Sequence, residues 1–151
     1  MITSQLHFED FAAGQVYAGQ SRTLDEGAFG LFAKLTGDAH PIHYDRDYAL
    51  KTRFGERVAH GLLLMSITAL GATALSERLE ASMVAFVEQD CRFLKPVLIG
   101  ETVSTELEVE ETRSVSSPAH GLVRFAVRVR NAAGEVVLAG HHTYLFKRRG
   151  T

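Results

Sequence analysis

The sequence lacks a second cysteine, an excess of basic charge, and a basic N-terminal segment followed by an apolar core. Its 151 residues include one cysteine, Cys91, so an intrachain disulfide is excluded and a reducing, cytoplasmic setting is expected. The formal net charge of -2 gives no footprint for nucleic-acid binding. Glu9 and Asp10 stand near the N-terminus, where a secretory signal would be free of acidic residues. The length and a hydrophobic content of 46% predict one globular domain over residues 1–151.

One long stretch lacks any formally charged residue, and it tests whether the chain enters a membrane. It covers residues 58–76 and reads VAHGLLLMSITALGATALS. A membrane-spanning helix needs about twenty predominantly apolar residues. This stretch is marginal in length and is diluted by His60, two glycines and several hydroxyl side chains. It therefore predicts a helix buried inside the protein and running to about Leu79, with no membrane as partner.

The second half of the chain changes to a hydrophobic period of two, which is typical of β-strands. Four segments carry this pattern, over residues 83–97, 102–111, 122–130 and 135–146. Short turn sequences between them predict an antiparallel meander of four consecutive strands. The apolar face of such a sheet must be covered, and residues 58–76 are the only segment apolar enough. We therefore expect an α+β protein with the hotdog fold, a curved antiparallel sheet wrapped around one long central helix.

An earlier helix is predicted between two polar boundaries. Thr23 and Glu26 form a capping-box pattern, in which both side chains can satisfy backbone N–H groups at a helix start. Apolar residues follow at helical spacing, and Gly37 predicts the helix end. Asp45 is positioned to cap a second, short helix.

Between these helices lies TGDAHPIHYD, residues 36–45, which places several titratable side chains around one proline. Pro41 excludes a regular helix through His40, so Asp38 and His43 are expected on non-helical backbone. A partly desolvated carboxylate and imidazole that converge can activate a water and return a proton to a carbon atom. The residue types alone favour a different interpretation by roughly two to one, in which Asp38 caps a turn and His43 is an interior histidine.

The run FAKLTGDAHPIHYDRDYA, residues 32–49, resembles the signature of the MaoC-like dehydratase family, the (R)-specific enoyl-CoA hydratases. The matching positions are Phe32, Gly37, Asp38, Pro41, Ile42, His43 and Ala49. The resemblance implies that Asp38 and His43 are the catalytic residues. His40 stands where the family usually has Asn, and it is expected to hold the loop, to contact substrate, or to mark a different substrate.

A second run, VAHGLLLMS over residues 58–66, is similar to the His-Gly start of the family's central helix. The resemblance places the substrate thioester carbonyl beside His60 and Gly61, where backbone N–H groups at a helix start favour developing negative charge. It also maps the family's active-site serine onto Ser66. From the residues alone, Gly61 fits tight helix–sheet packing equally well, and Ser66 fits a hydroxyl bonded to the preceding turn.

Together the two motifs imply a hydro-lyase that reversibly adds water to a trans-2-enoyl-CoA thioester. Coenzyme A enters only as part of the substrate, and no other cofactor and no metal are expected. The resemblance also implies a homodimer in which two sheets pair edge to edge, and an unpaired edge strand agrees with that. The length and branching of the acyl chain are not fixed by these motifs.

Three alternatives stay open on the sequence. Several hotdog thioesterases, like the dehydratases that act on acyl-carrier protein, use a carboxylate on the central helix, and none precedes Glu77 here. The residue at His40 leaves room for an acyl-CoA-binding protein without catalysis. Asp38, His40 and His43 have metal-ligand types, but no further ligand spacing supports a metal site.

Overall fold

A computed structural model describes residues 4–151, so the first residues of the N-terminal stretch considered above lie outside it. The five strands are β1 Val16–Thr23, β2 Met83–Phe93, β3 Thr102–Ser114, β4 His120–Asn131 and β5 Val136–Lys147. The four α-helices are α1 Glu26–Thr36, α2 Pro41–Tyr44, α3 Arg46–Ala49 and α4 Gly61–Ser66. Short 3-10 turns occur at Phe8–Asp10, Leu70–Ala72 and Ser76–Arg78.

The strands form one antiparallel sheet in the order β1-β3-β4-β5-β2. The expected meander is confirmed for β3, β4 and β5, but it is wrong for β2, which pairs with β5 instead of β3. The reason lies in the segment that follows β2. Residues 97–98 pair with residues 58–59, just before α4, so the chain does not form a hairpin from β2 to β3. Ala59 N–H donates to the Val97 carbonyl (2.7 Å), and Val58 forms an isolated bridge with Leu98. This crossing brings β3 to the far side of the sheet, beside β1, a strand that the sequence patterns did not indicate.

The central helix is much shorter than predicted. Regular α-helix ends at Ser66, and residues 67–79 continue as turns and 3-10 segments. Two hydroxyls compete for backbone carbonyls at this point: Ser66 Oγ donates to Leu63 O (2.7 Å) and Thr68 Oγ1 to Met65 O (2.6 Å). Further along, Thr73 bridges to Gly19 of β1. Within residues 4–151, no helix is long and apolar enough to cross a membrane.

The sheet nevertheless covers this segment as the hotdog fold requires. One core cluster joins α1 and α4 to the sheet through Leu24, Phe29, Phe32, Ala59, Leu63, Leu64, Val97, Val103, Val129, Val137 and Leu138. A second cluster packs Leu75 and Leu79 from the 3-10 region against β3, β4 and β5. Each large apolar side chain buried in this way stabilises the fold by roughly 1.5–3 kcal/mol relative to exposure.

The boundaries of α1 differ from the capping-box prediction at one end only. Thr23 is the last residue of β1, where its hydroxyl pairs with that of Thr102 (2.8 Å), so it cannot cap the helix. Asp25 is the N-cap instead, and its carboxylate accepts a hydrogen bond from Ala28 N–H (3.0 Å). The predicted stop is confirmed, because Gly37 has φ 76°, a left-handed conformation that glycine adopts without strain.

Candidate active site

The polar stretch between α1 and α3 is organised by its own side chains. Asp38 N–H donates to Thr36 Oγ1, and the Asp38 carboxylate accepts a hydrogen bond from His40 N–H, both at 3.2 Å. These two local turns hold Asp38 on non-helical backbone, as expected. Asp38 is exposed, however, so in the single chain the expected partial desolvation of the pair applies to His43 and not to Asp38.

His40 caps the helix that follows it. Its backbone is extended (φ -58°, ψ 134°), as the residue before a proline prefers, and Pro41 opens α2. The His40 Nδ1 atom accepts a hydrogen bond from Ile42 N–H (3.2 Å), so this nitrogen carries no proton. A short polar side chain such as Asn performs the same capping task at many helix starts. The structure therefore shows His40 holding the loop, one of the three expectations for this position.

His43 lies in the single turn of α2, which corrects the expectation of non-helical backbone there. Because Pro41 can start a helix but not continue one, the turn begins at the proline. The His43 Nδ1 atom lies 2.6 Å from the Val58 carbonyl oxygen. A carbonyl can only accept, so Nδ1 carries the proton and Nε2 of the neutral ring is bare. His43 is therefore oriented as a hydrogen-bond acceptor or base.

His60 lies directly against His43, with the two rings stacked at a centroid distance of 3.7 Å and an interplanar angle of 25°. Its side chain is 3% exposed. Tyr44 Oη donates to the Phe29 carbonyl (2.8 Å) and lies 3.1 Å from His60 Nε2, so Nε2 carries the proton and donates to Tyr44. Burial lowers the pKa of His60, and neighbouring His43 lowers it further, while Asp38 acts in the opposite direction. The His60 ring is therefore neutral at physiological pH.

Asp38, His43 and His60 form one cluster, in which one oxygen or nitrogen from each side chain lies within 4.8 Å of those of the other two. The residues considered from the sequence as metal ligands included His40, and the structure replaces it with His60. The cluster has ligand types that suit a transition metal. Its geometry is poor for one, since the lone pairs of nearly parallel stacked rings do not converge on a common point.

Gly61 begins α4 beside this cluster and packs against β2. A Cβ atom at Gly61 would lie 2.7 Å from Cζ of Phe93, so the helix–sheet packing interpretation of this glycine is confirmed. The same residues border a cleft of about 340 Å³, which is also lined by Arg53 and Lys95. The basic side chains of Arg53 and Lys95 thus lie in the cleft that leads to Gly61. A ligand in this cleft would lie beside the start of α4 and the ring of Phe93, since these two are already in contact.

Ser66 lies at the opposite end of α4, outside the cluster of Asp38, His43 and His60. Its hydroxyl is bonded back to Leu63, as the simpler interpretation of the sequence expected. It also lines an apolar cavity of about 260 Å³ between α1 and α4 and one of about 220 Å³ facing β2. The structure thus places Ser66 beside space for an apolar group and not beside the reacting pair.

Two features of the site were missed from the sequence. Tyr44 anchors His60, and the Val58 carbonyl fixes the tautomer of His43. Tyr44 directly follows His43 in the sequence, and an aromatic residue with a hydroxyl at this position could have indicated a hydrogen-bond partner within the site. A backbone carbonyl leaves no signal of its own. Outside the site, the neighbouring His141 and His142 of β5 face opposite ways, since His142 is 3% exposed and His141 pairs with Asp90 at the surface.

Comparison with known proteins identifies the family of the chain. Residues 9–131 match the family described as the MaoC like domain. An (R)-specific enoyl-CoA hydratase of Rhodospirillum rubrum is 35% identical over 144 residues, which cover 95% of this chain and 94% of that protein. The solved structure of a monoamine oxidase regulatory protein from Archaeoglobus fulgius is similar with a TM-score of 0.91 and 34% identity, over 98% of each chain. An (R)-hydratase from A. caviae involved in PHA biosynthesis is similar with a TM-score of 0.75 and 25% identity, over 90% of this chain and 97% of that chain. The chain belongs to the MaoC-like dehydratase family.

Proposed function

We infer that this protein is an (R)-specific enoyl-CoA hydratase, a hydro-lyase that reversibly adds water across the double bond of a trans-2-enoyl-CoA. The product is an (R)-3-hydroxyacyl-CoA. The observation that carries this inference is the pairing of the Asp38 carboxylate with His43, whose Nε2 is left bare by the bond from Nδ1 to Val58. The similarity to an (R)-specific enoyl-CoA hydratase over nearly the whole chain supports the reaction class.

In the reaction, His43 Nε2 and the Asp38 carboxylate hold one water between them. The water oxygen attacks the β-carbon, and its proton passes to Asp38, which relays a proton to the α-carbon. The electrons of the double bond move onto the thioester carbonyl, which gains negative charge as an enolate. Gly61 N–H stabilises this charge, in keeping with the family resemblance and with the cleft that opens beside Gly61.

The other proposed contacts with the acyl-CoA substrate are assigned from the positions of the residues around the pair. The backbone at His60 and Gly61 borders the thioester, and Arg53 and Lys95 line the cleft through which coenzyme A enters. Because His40 Nδ1 is engaged by Ile42, only its Nε2 is free to contact substrate. Ser66 contacts the acyl group farther along α4, and the lone cysteine agrees with a cytoplasmic enzyme.

Substitution of Asp38 and His43 by amides of similar size tests whether these two residues are catalytic. Asp38→Asn and His43→Gln should each remove nearly all hydratase activity, followed as loss of absorbance of the conjugated thioester over a panel of enoyl-CoAs. Both side chains lie on short exposed or half-buried segments, so folding should survive. Asp47→Asn, which changes an exposed carboxylate of neighbouring α3, is the matched control and should keep full activity. Wild-type turnover in both site variants would show the assignment to be wrong, and release of free thiol from the substrate would favour a thioesterase.

The active form is a homodimer that pairs the β2 edges of two sheets. β2 stands at the edge of the sheet and exposes the apolar residues Met83, Val84, Phe86, Val87 and Phe93. An unpaired sheet edge that carries several exposed apolar residues is typical of a protein interface. Light scattering at micromolar concentration should give a dimer, and Val87→Lys should shift it towards monomer. Val16→Lys changes an equally exposed valine (54%) on the opposite edge and should leave the dimer intact. A monomeric wild-type protein would contradict the proposal.

A further inference from the structure

The imidazole of His43 is fixed at two places, and only one of them is a hydrogen bond. The bond from Nδ1 to the Val58 carbonyl fixes one ring atom but leaves the ring free to tilt about that contact. The second contact is the stacked ring of His60, at 3.7 Å and 25°, which covers one face of His43. A hydrogen bond at one atom together with a flat neighbour on one face defines the plane of the ring.

His60 is itself held firmly enough to act as this flat neighbour. Its Nε2–H donates to Tyr44, and the Tyr44 hydroxyl donates to the Phe29 carbonyl in α1. The ring of Phe32, also in α1, lies 4.4 Å from the ring of His60. His60 is thus tied to the buried face of α1, at Phe29 and Phe32, through a hydroxyl and an aromatic contact, while His43 lies on a short half-buried turn.

The second nitrogen of His60, Nδ1, is also buried. Within the described part of the chain no partner meets Nδ1 with full hydrogen-bond geometry, but the backbone of Asp38 lies close enough to the His60 ring to raise its pKa as a hydrogen-bond partner. His60 thus contacts both members of the proposed catalytic pair, the ring of His43 and the backbone of Asp38.

We propose that His60 is a positioning residue of the hydration reaction, which stacks on His43 and, clamped by Tyr44, holds the His43 ring so that Nε2 faces the water shared with Asp38. This proposal rests on the function inferred above. It differs from the contact with the thioester that the resemblance assigns to His60, because the ring acts through His43 and not on the substrate.

The two roles predict different kinetics. Loss of a substrate contact raises KM, whereas loss of orientation in a catalytic group lowers kcat and leaves KM nearly unchanged. A displacement of about 1 Å in a catalytic group can cost about a hundredfold in rate. His60→Phe keeps the volume but removes the bond to Tyr44, and Tyr44→Phe removes the same bond from the other side.

The experiment measures kcat and KM for His60→Phe and Tyr44→Phe, alone and combined with His43→Gln. Each single variant should lower kcat by about ten- to a hundredfold with KM within about twofold of wild type. In the His43→Gln background neither should lower the remaining rate further, because effects that act through one residue are not additive. Tyr17→Phe removes a half-buried hydroxyl from β1 and should leave kcat unchanged.

A second readout needs no turnover. Nitrogen-15 NMR of the histidine side chains should show His43 as a single tautomer, protonated at Nδ1, in the wild type. The signal should broaden or split in Tyr44→Phe, because the ring of His60 is then released. Wild-type kcat together with an unchanged His43 signal in Tyr44→Phe would overturn the proposal, and so would a rise in KM alone. If Asp38→Asn also kept wild-type activity, the inferred function itself would fail, so the two failures are distinguishable.

Discussion

His142 makes folding stability sensitive to mild acid. It is 3% exposed, and its Nε2 lies 3.2 Å from Thr68 Oγ1, which donates its own proton to the Met65 carbonyl. Nε2 therefore carries the proton of a neutral ring. Burial lowers the pKa of His142 from 6.5 to about 4, and the opposing effect of Asp90 is smaller.

The sign and size of the effect follow from this difference. In the unfolded chain the imidazole takes up a proton as the pH falls through 6.5, whereas the native ring stays neutral down to about pH 4. The stability contribution is therefore complete above pH 6.5 and is lost as the pH falls towards 4. One pKa unit corresponds to about 1.4 kcal/mol, so the total loss is about 3 kcal/mol, of which about 2 kcal/mol appears between about pH 7 and about pH 5.

The variant His142→Gln tests this, since glutamine can still donate to Thr68 but does not titrate. Urea unfolding of both proteins at about pH 7 and about pH 5 gives four free energies of unfolding, measured at one protein concentration because an oligomer's stability depends on it. The wild type should lose about 2 kcal/mol more than the variant between the two pH values. His141→Gln removes a histidine from the opposite face and should retain the wild-type loss. Equal losses in His142→Gln and the wild type would refute the reasoning.

Two further substitutions test local geometry. His40→Asn should keep activity within about tenfold, because an Asn side chain can also cap Ile42 N–H; a larger loss, measured as kcat/KM, would give His40 a role of its own. Gly140→Ala should destabilise the fold by about 3 kcal/mol or more, since the new Cβ would lie 2.0 Å from the Asp90 carbonyl oxygen, which belongs to the paired backbone. Gly30→Ala, where a Cβ meets nothing within 4 Å, should instead raise the melting temperature slightly, and a loss of stability there comparable to that of Gly140→Ala would contradict this account.

The sequence predicted those elements whose side chains alternate or cap in the usual way. β4 was recognised because apolar and charged residues alternate along it, and the start of α3 because Asp45 caps it through Tyr48 N–H (3.0 Å). β1 escaped because its last residues, Gln20 to Thr23, are all exposed and carry no apolar alternation. The length of α4 was overestimated because apolar composition does not reveal where side-chain hydroxyls donate to backbone carbonyls and the regular helix ends.

The site, like the fold, was predicted where a local motif marks it and was missed where it depends on contacts between distant segments. Asp38 and His43 were placed together from a motif, and the structure brings them together. The pairing of β2 with β5 and the stack of His60 on His43 both depend on contacts between segments distant in sequence. Such contacts leave no periodic signal in one chain.

Val58 links the two halves of the site through one peptide unit on either side of its Cα. Its N–H donates to the Ile42 carbonyl (3.3 Å), and its own carbonyl accepts the proton of His43 Nδ1 (2.6 Å). The turn that bears His43 and the segment that leads into Gly61 are therefore joined by the two hydrogen bonds of Val58. Under the proposed function, changes in the apolar walls near Ser66, at the other end of α4, can alter which acyl chains fit without disturbing these two hydrogen bonds. Substrate preference can then change at one end of α4 while the geometry of the proposed catalytic pair is kept at the other.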